Sequence, residues 1–494
     1  MEIDTALGRD IWLVSPMIVL AIGSLLLLML EVFIKERWPR AELTAILLFV
    51  SLFAITLVAP DIGSGGTIFY GTIYADPFSI YFSGLMIFGS LLVVFLGNGR
   101  LAREGIGSPG EYYSLLLMSL VGAMIFVSSA ELITLFLGLE IMSMALYALC
   151  AFAINLRRSA EAGLKYFFLG SFASAFLLFG IALIYGLTGT TTISEIAPQL
   201  QVIEDPILYL AIGFFLVGLI FKIGGVPFHF WAPDVYQGAP TTISAFMATV
   251  VKVAAVGALL RIMWSIFGGE IYSVWVGAVW FIAALTMIVG NILALRQRSL
   301  KRMLAYSSIA HAGYIIAALL APGQFGGGEA ILFYLVVYTL MTVGAFGVVL
   351  LSAPVALDSP QAIEADDITR LNGFARTQPV LAAIMALFMF ALAGLPPGIA
   401  GFVGKFYIFH AVVQAEFVGL AIIGVLGSAV SCYYYLRVVV AMYFLPENSE
   451  SGLDLPPVHT LAIGALVVCA VGVIILGIIP APVYSAAQFV IQSF

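Results

Sequence analysis

Long apolar intervals alternate along this chain with short polar connections. They fall at 11–34, 43–60, 77–97, 113–129, 131–153, 163–187, 207–226, 241–264, 272–295, 302–321, 328–353, 378–413, 416–445 and 459–479. A helix needs about 20 apolar residues to cross a hydrocarbon core of about 30 Å. The pattern therefore predicts about 14 transmembrane helices in an all-α, polytopic membrane protein. The first interval lacks both a basic leader and a small-residue cleavage site, so it reads as a retained helix rather than a signal peptide.

Intervals 113–129 and 131–153 nearly fuse, and the count needs a second argument. The cations supply it. Lys35, Arg37 and Arg40, then Arg100 and Arg103, then Arg157 and Arg158, then Arg296, Arg298, Lys301 and Arg302, then Arg370 and Arg376 occupy alternate connections. The opposite side holds Arg9 and Arg261. Cytoplasmic connections are the ones rich in Lys and Arg, which puts both termini on the non-cytoplasmic side. Miscounting one helix would scramble the alternation.

Two intervals are interrupted. IGGVP at 223–227 follows Lys222, and GLPPGIAG at 394–401 ends four residues before Lys405. Proline removes a helix hydrogen bond and clashes with the preceding turn. Such breaks are tolerated at bilayer depth where the backbone lines a protein cavity or water. They lie five helices apart, so helices 4–8 and 9–13 read as two five-helix repeats, inverted because five is odd. Paired broken helices in inverted repeats mark a transport site; a hinge without a transport role is the alternative. The expected organisation is one integral membrane domain over 1–494. Three N-terminal helices fill 1–110, the repeats fill 111–264 and 265–445, and a last helix lies in 446–494.

Composition narrows the chemistry. Hydrophobic residues make up 62% of the chain, charged residues 10%, and mean hydropathy is +1.12; soluble domains carry about 25% charged residues. Cys150, Cys432 and Cys469 lie in apolar runs without CxxC spacing and read as structural thiols. A net charge of −7 argues against a nucleic-acid partner. Neither a Walker loop nor GxGxxG is present, and four histidines without paired helical spacing argue against haem. Any redox chemistry would have to sit on partners.

Glu140, Lys165, Lys222, Lys252, Lys405 and Arg437 fall inside the apolar intervals. Each charge at a helix centre costs about 2.5–3.5 kcal/mol on insertion scales, and an unpaired buried lysine sheds its proton instead. Such a set predicts a polar, hydrated interior that exchanges protons. Lys165 lies four residues after Glu161 near a helix start, so snorkelling to the surface competes with a path role. Arg437 follows three tyrosines and reads as structural. Glu140, Lys222, Lys252 and Lys405 are too deep to snorkel; a structural ion pair is their alternative. His229, two residues past the first break, is a relay or a capping group. His311 sits beside Tyr306, Ser307 and Ser308, whose hydroxyls suit a water-linked relay. His410 and His459 read as surface residues.

The segments KIGGVPFHFWAPDVYQGAPT (222–241), SLKRMLAYSSIAHAGY (299–314) and GLPPGIAGFVGKFY (394–407) closely resemble core motifs of one family. It comprises the antiporter-like membrane subunits of respiratory complex I, or NADH–quinone oxidoreductase, and the related Mrp cation/proton antiporters. The resemblance runs from the first helix to the last. It implies a proton-translocating subunit that couples NADH oxidation and quinone reduction in partner subunits to proton pumping; an Mrp-type Na⁺/H⁺ antiporter subunit is the alternative. It further implies Glu140 acting on Lys222, Lys165 as a sixth-helix lysine, Lys252 at the centre, His311 on the tenth helix and Lys405 at the exit. His229 falls in the PFHxW element. No cofactor is implied in this chain; NADH, FMN, iron–sulfur clusters and quinone belong to partner subunits. Implied partners are other complex I membrane subunits, with M and K as neighbours, and lipids, in a bacterial inner membrane. A structural scaffold and an organic-solute permease are the readings from other classes.

Overall fold

The computed structural model describes residues 2–33, 40–62, 66–101, 106–107, 109–203, 205–352, 366–446 and 459–494. Lys35, Arg37 and Arg103 of the predicted cytoplasmic set lie outside the described residues. The chain begins with α1 (Glu2–Leu13), α2 (Ser15–Phe33) and α3 (Arg40–Val58). A short antiparallel pair follows, β1 (Gly66–Ile68) and β2 (Ile73–Ala75), with Gly66 opposite Ala75. Then come α4 (Pro77–Gly97), α5 (Pro109–Ser128), α6 (Leu132–Cys150), α7 (Arg157–Thr188) and α8 (Ile193–Leu200). The first broken helix is α9 (Ile207–Ile223) plus α10 (Trp231–Gly238). α11 (Thr241–Phe246) continues through a π turn at Met247–Val251 into α12 (Lys252–Ser265). α13 (Tyr272–Leu295), α14 (Leu300–Leu319), α15 (Gly327–Ser352) and the short α16 (Phe374–Thr377) lead to the second broken helix, α17 (Pro379–Ala393) plus α18 (Ile399–Gln414). α19 (Val418–Phe444), α20 (Thr460–Ile478) and α21 (Ala481–Gln492) complete the chain.

A helix therefore lies over each predicted interval, and among the described residues eleven helices are long and apolar enough to cross a membrane. α14 is as long, but Lys301, Arg302 and the polar residues of Tyr306–His311 lower its hydropathy. The first interval differs from expectation in one respect. Its polar start belongs to a separate helix, α1, which ends in a turn at Leu13–Val14 where α2 begins.

The nearly fused pair separates at Ser129–Glu131. This turn is held by backbone bonds from Ala130 to Thr72, Ile193 to Ala130 and Leu132 to Thr191. α5 and α6 then pack backbone to backbone: a Cβ at Gly122 would sit 2.3 Å from Met142 N, and one at Gly138 2.5 Å from Phe126 N. Small residues permit such approach where lipid provides no hydrophobic drive between helices.

Burial orders the bundle. The run Thr241–Ser265 is buried along its whole apolar window, and α15 nearly so; together they form the axis. α2, α3, α19 and α20 lie outside, and their outward residues stay apolar, among them Phe53, Leu26, Leu426 and Ile475. Lipid tails are as apolar as leucine, so an outer face need not be polar. The charged side chains of α12 must consequently find their partners inside the protein.

Candidate functional site

Each broken helix stops at a glycine in the left-handed region, Gly224 (φ 80°) and Gly394 (φ 83°). That region is open to glycine at little cost and crowds a Cβ. Each break also contains a cis X–Pro bond, Val226–Pro227 and Pro396–Pro397. Stopping a helix leaves its last carbonyls without amide partners. At the first break Trp231 Nε1 donates to Phe221 O at 3.0 Å, and Val226 N donates to Thr286 Oγ1 at 3.0 Å. At the second, Lys405 Nζ donates to Leu392 O (2.9 Å), Ala393 O (3.0 Å) and Ser428 Oγ (2.8 Å). A cation is favoured there, because a helix C-terminus carries partial negative charge.

Lys222 lies in the last turn of α9, buried, with no hydrogen-bond partner for its ammonium. Three rings face it instead, Tyr166 at 5.0 Å, Tyr147 at 5.5 Å and Phe221 at 5.6 Å. Their quadrupoles attract a cation without neutralising it. Glu140 on α6 has an unpartnered buried Oε1, and no direct ion pair joins it to Lys222. The residues expected to interact thus share an aromatic enclosure but do not touch. The hydroxyls of Tyr147 and Tyr166 are likewise buried and unpartnered.

The π turn sets the phase at which α12 presents Lys252. Such turns insert a residue into the helical repeat and recur at functional sites. Lys252 Nζ donates to Ser308 O at 2.6 Å and makes a short contact with Ser308 Oγ. Tyr338 Oη also donates to Ser308 Oγ, at 2.9 Å. Ser307, the neighbour of Ser308, bonds Tyr435 Oη, which lies 3.1 Å from His311 Nε2. His311 Nδ1 bonds Tyr334 Oη. The Tyr314 ring lies between this group and the second break, 5.5 Å from the His311 ring and 5.4 Å from Lys405 Nζ. Lys252, His311 and Lys405 are thus brought into one buried, hydroxyl-lined run.

His229 is also buried, and its Nδ1 has no partner. It sits beside Phe230, which is 71% exposed, so the histidine occupies the boundary between the first break and the outside. Lys165 is elsewhere. Its side chain is 41% exposed and pairs with Glu161 at 2.7 Å and Asp234 at 2.8 Å; it faces the surface and is not part of the buried run. Arg437 donates to Leu295 O at 3.1 Å and Gln297 O at 2.5 Å, closing the end of α13 as a structural residue would. His410 and His459 are exposed.

Three cations that the sequence places in connections are buried: Arg100, Arg261 and Lys301. Arg261 is buried in α12 and forms a bidentate pair with Asp76, at 2.8 and 3.1 Å. It also donates to Ser79 Oγ (3.0 Å) and Val127 O (2.8 Å). Lys301 is buried at the start of α14 and donates to Ala239 O at 2.7 Å. Nothing in the spacing foretold the Arg261 pair, whose partners are 185 and 182 positions away. Asp76 also caps α4 by accepting from Ser79 N at 2.7 Å. Burial pushes the Asp76 carboxyl up, but the charge and hydrogen bonds of Arg261 outweigh this and hold it below the usual carboxylate range.

A variant that breaks this pair should be markedly less stable. Arg261→Met leaves Asp76 buried and unpaired, for which the cost is about 3–5 kcal/mol. Because the folded carboxyl titrates below its unfolded value of about 3.9, the pair's contribution is complete above that value and is lost as pH falls through the folded one. With Arg261 gone, burial raises the carboxyl, so the variant's Asp76 takes up a proton above its unfolded value and relieves the buried charge. The melting-temperature gap between wild type and variant should therefore be largest at neutral pH and narrow as the medium is acidified toward about 4. A gap that widened on acidification would overturn this assignment.

Sequence reasoning also missed Asp234. It accepts from Lys165 and from Arg302 Nη1 (2.5 Å). Arg302 reaches Gln237 Oε1 at 3.3 Å, Gln237 Nε2 reaches Asp366 Oδ2 at 3.3 Å, and Asp366 is bonded by Ser299 Oγ and by Leu300 N at 2.6 Å. Burial pushes the Asp234 carboxyl up; hydrogen bonds and charge from Lys165 and Arg302 more than offset this and lower it.

Fold and site together define the class, a polytopic helical membrane subunit of the antiporter-like type. Residues 129–431 match the family described as NADH:quinone oxidoreductase/Mrp antiporter, TM. The chain is 42% identical over 482 residues to the NADH-quinone oxidoreductase subunit N of Trichlorobacter lovleyi, with 96% of each chain covered. It superposes on a chain of respiratory complex I from Thermus thermophilus with a TM-score of 0.80 at 35% identity, covering 95% of this chain and 98% of that one. A chain of the Mrp complex from a Dietzia species shares the fold, with a TM-score of 0.79 at 19% identity, covering 98% and 97%. The chain belongs to the NADH-quinone oxidoreductase subunit N family.

Proposed function

We propose that this chain is the antiporter-like N subunit of an NADH–quinone oxidoreductase and moves protons across the membrane through the groups Lys222, Lys252, His311 and Lys405. The observation that carries the reading is the run from Lys252 through Ser308, Ser307, Tyr435 and His311 toward Lys405, because it gives buried cations a set of exchangeable hydroxyl and imidazole protons. Fourteen helices with two inverted repeats, 4–8 and 9–13, both termini on the non-cytoplasmic side, is the layout we assign. The paired stops at Gly224 and Gly394, five helices apart, support it.

In this reading Glu140 controls Lys222. A carboxylate brought close favours the protonated lysine, and its withdrawal releases the proton toward Lys252. His229 connects Lys222 to cytoplasmic water, and Lys405 delivers the proton outward. NADH, FMN, iron–sulfur clusters and quinone reside in partner subunits, and quinone reduction there supplies the energy. The M and K membrane subunits are the neighbours we assign, in a bacterial inner membrane.

The test is Glu140→Gln in the assembled complex. We expect normal assembly with proton translocation reduced at least fivefold; loss of assembly in its place would favour a scaffold. The Mrp-type antiporter is the second reading, supported by the fold shared with the Dietzia chain. Purification under mild detergent decides between them: NADH-oxidising and quinone-reducing partners are expected to accompany this chain, and their absence would favour Mrp.

A further inference from the structure

Asp234 lies on α10, the half-helix just past the first break, and holds two cations from different parts of the bundle. One carboxylate oxygen takes Lys165 of α7 at 2.8 Å, and the other takes Arg302 of α14 at 2.5 Å. By the repeat assignment, α7 and α10 belong to the first repeat and α14 to the second. Further contacts strengthen the join. Lys301 of α14 donates to Ala239 O at the end of α10. Gln237 of α10 reaches Asp366, which is bonded in turn by Ser299 and Leu300. The segment after Asp366 is strapped to the same place by Ile368 N donating to Arg298 O at 2.9 Å.

The place matters as much as the bonds. Lys165, Asp234, Phe230 and Trp231 line a cleft of roughly 660 Å³ that opens to the outside. Trp231 is the side chain that closes the first break through Phe221 O and stacks on Tyr166 at 4.6 Å. Tyr166 is the ring nearest Lys222. Asp234, three residues from Trp231, is therefore one turn of α10 away from the wall of the Lys222 chamber. Lys165 has Glu161 as a second acceptor, also in contact. Which carboxylate holds it depends on Asp234 keeping its charge and position.

We infer that Asp234 is a positioning residue for proton uptake: it fixes Lys165 at the cytoplasmic mouth of the first broken helix and locks α10 to α14 through Arg302. This rests on the proton-translocating reading above. Without the carboxylate, Lys165 swings to Glu161 alone and α10 keeps Arg302 only through the 3.3 Å bond to Gln237, so the Trp231 closure loosens. Asp234 acts through Lys165 and α10 and does not itself carry the proton across.

The test is made in the intact complex in membrane vesicles, reading protons translocated per electron together with assembly and quinone reduction. Asp234→Asn is expected to lower the proton-to-electron ratio at least threefold with assembly retained, and Asp234→Glu to restore most of it. Wild-type coupling in Asp234→Asn overturns the proposal, as does equal loss of assembly in the Asn and Glu variants. Should Asp234→Asn alone fail to assemble, the triple variant Asp234→Asn, Lys165→Gln, Arg302→Gln decides, because it removes the carboxylate together with both cations that it holds. Its coupling should equal that of Lys165→Gln, Arg302→Gln; a further loss on adding Asp234→Asn overturns the proposal. Lys252→Met is run in parallel. If it pumps normally, the proton-path reading has failed; if it does not pump while Asp234→Asn does, only the positioning role has failed.

Discussion

Lys252→Met should assemble into a complex that no longer translocates protons through this subunit. Lys252 occupies the buried axis, and its ammonium is held by Ser308 alone, through the carbonyl and the hydroxyl. Methionine fills nearly the same volume. Ser308 Oγ keeps its bond from Tyr338, so no buried acceptor is orphaned and the fold should lose about 1 kcal/mol. What is lost is the only titratable group on α12 facing the hydroxyls that lead to His311. Proton uptake by vesicles during NADH oxidation, compared with the assembled wild type, is the measurement. Lys252→Arg sharpens it. Guanidinium donates equally well but does not deprotonate in proteins, so the arginine variant should also fail. Normal pumping by Lys252→Arg would mean that fixed charge, not proton exchange, is what the site needs.

Lys405 should behave differently, because it has two tasks. Its ammonium satisfies Leu392 O, Ala393 O and Ser428 Oγ at the stop of α17. It also stands in a cleft of roughly 600 Å³ between α18 and α19, lined by Phe402, Phe406, Val425 and Leu426. Lys405→Ala takes the ammonium from all three groups in apolar surroundings and leaves Ala393 O only the 3.5 Å bond from Ser428 Oγ. The expected cost is about 1–3 kcal/mol for each one left unsatisfied, so this variant should lose thermal stability and pumping together. Lys405→Arg keeps a cation over the helix end and should keep the stability while losing the pumping. A melting temperature near wild type in Lys405→Arg, beside a clearly lowered one in Lys405→Ala, is the expected pair of results. Equal melting temperatures for the two would remove the capping role.

The difference between these lysines shows what a sequence can reveal. Both stood out for one reason, a charge inside an apolar interval. That Lys405 closes the stop of α17 while Lys222 is ringed by aromatics at the stop of α9 could not be read from position, because each lies within a few residues of a similar Gly–Pro break. Lys165 met the same criterion and turned out to be a surface residue, since α7 begins at Arg157, earlier than its apolar stretch, and carries the lysine near its polar end. Arg261 shows the opposite error. Its place near the end of its interval reads as a loop charge, yet it is fully engaged inside.

The class, the placing of the helices and the two breaks are all legible in the linear pattern of residues. Apolar length, alternating cations and paired Gly–Pro interruptions are local properties, and the bilayer's demand for satisfied backbone makes them decisive. Which side chains meet is settled by packing. Asp76 reaches Arg261 across 185 positions, Asp234 joins Lys165 to Arg302, and Tyr435 from α19 bridges Ser307 and His311. Those partners come from different helices, whose relative rotation is set by packing such as the Gly122–Gly138 contact and by the π turn before Lys252. Helical periodicity fixes which face a residue lies on but not which face it will oppose, and the chemistry of this protein lies in those oppositions.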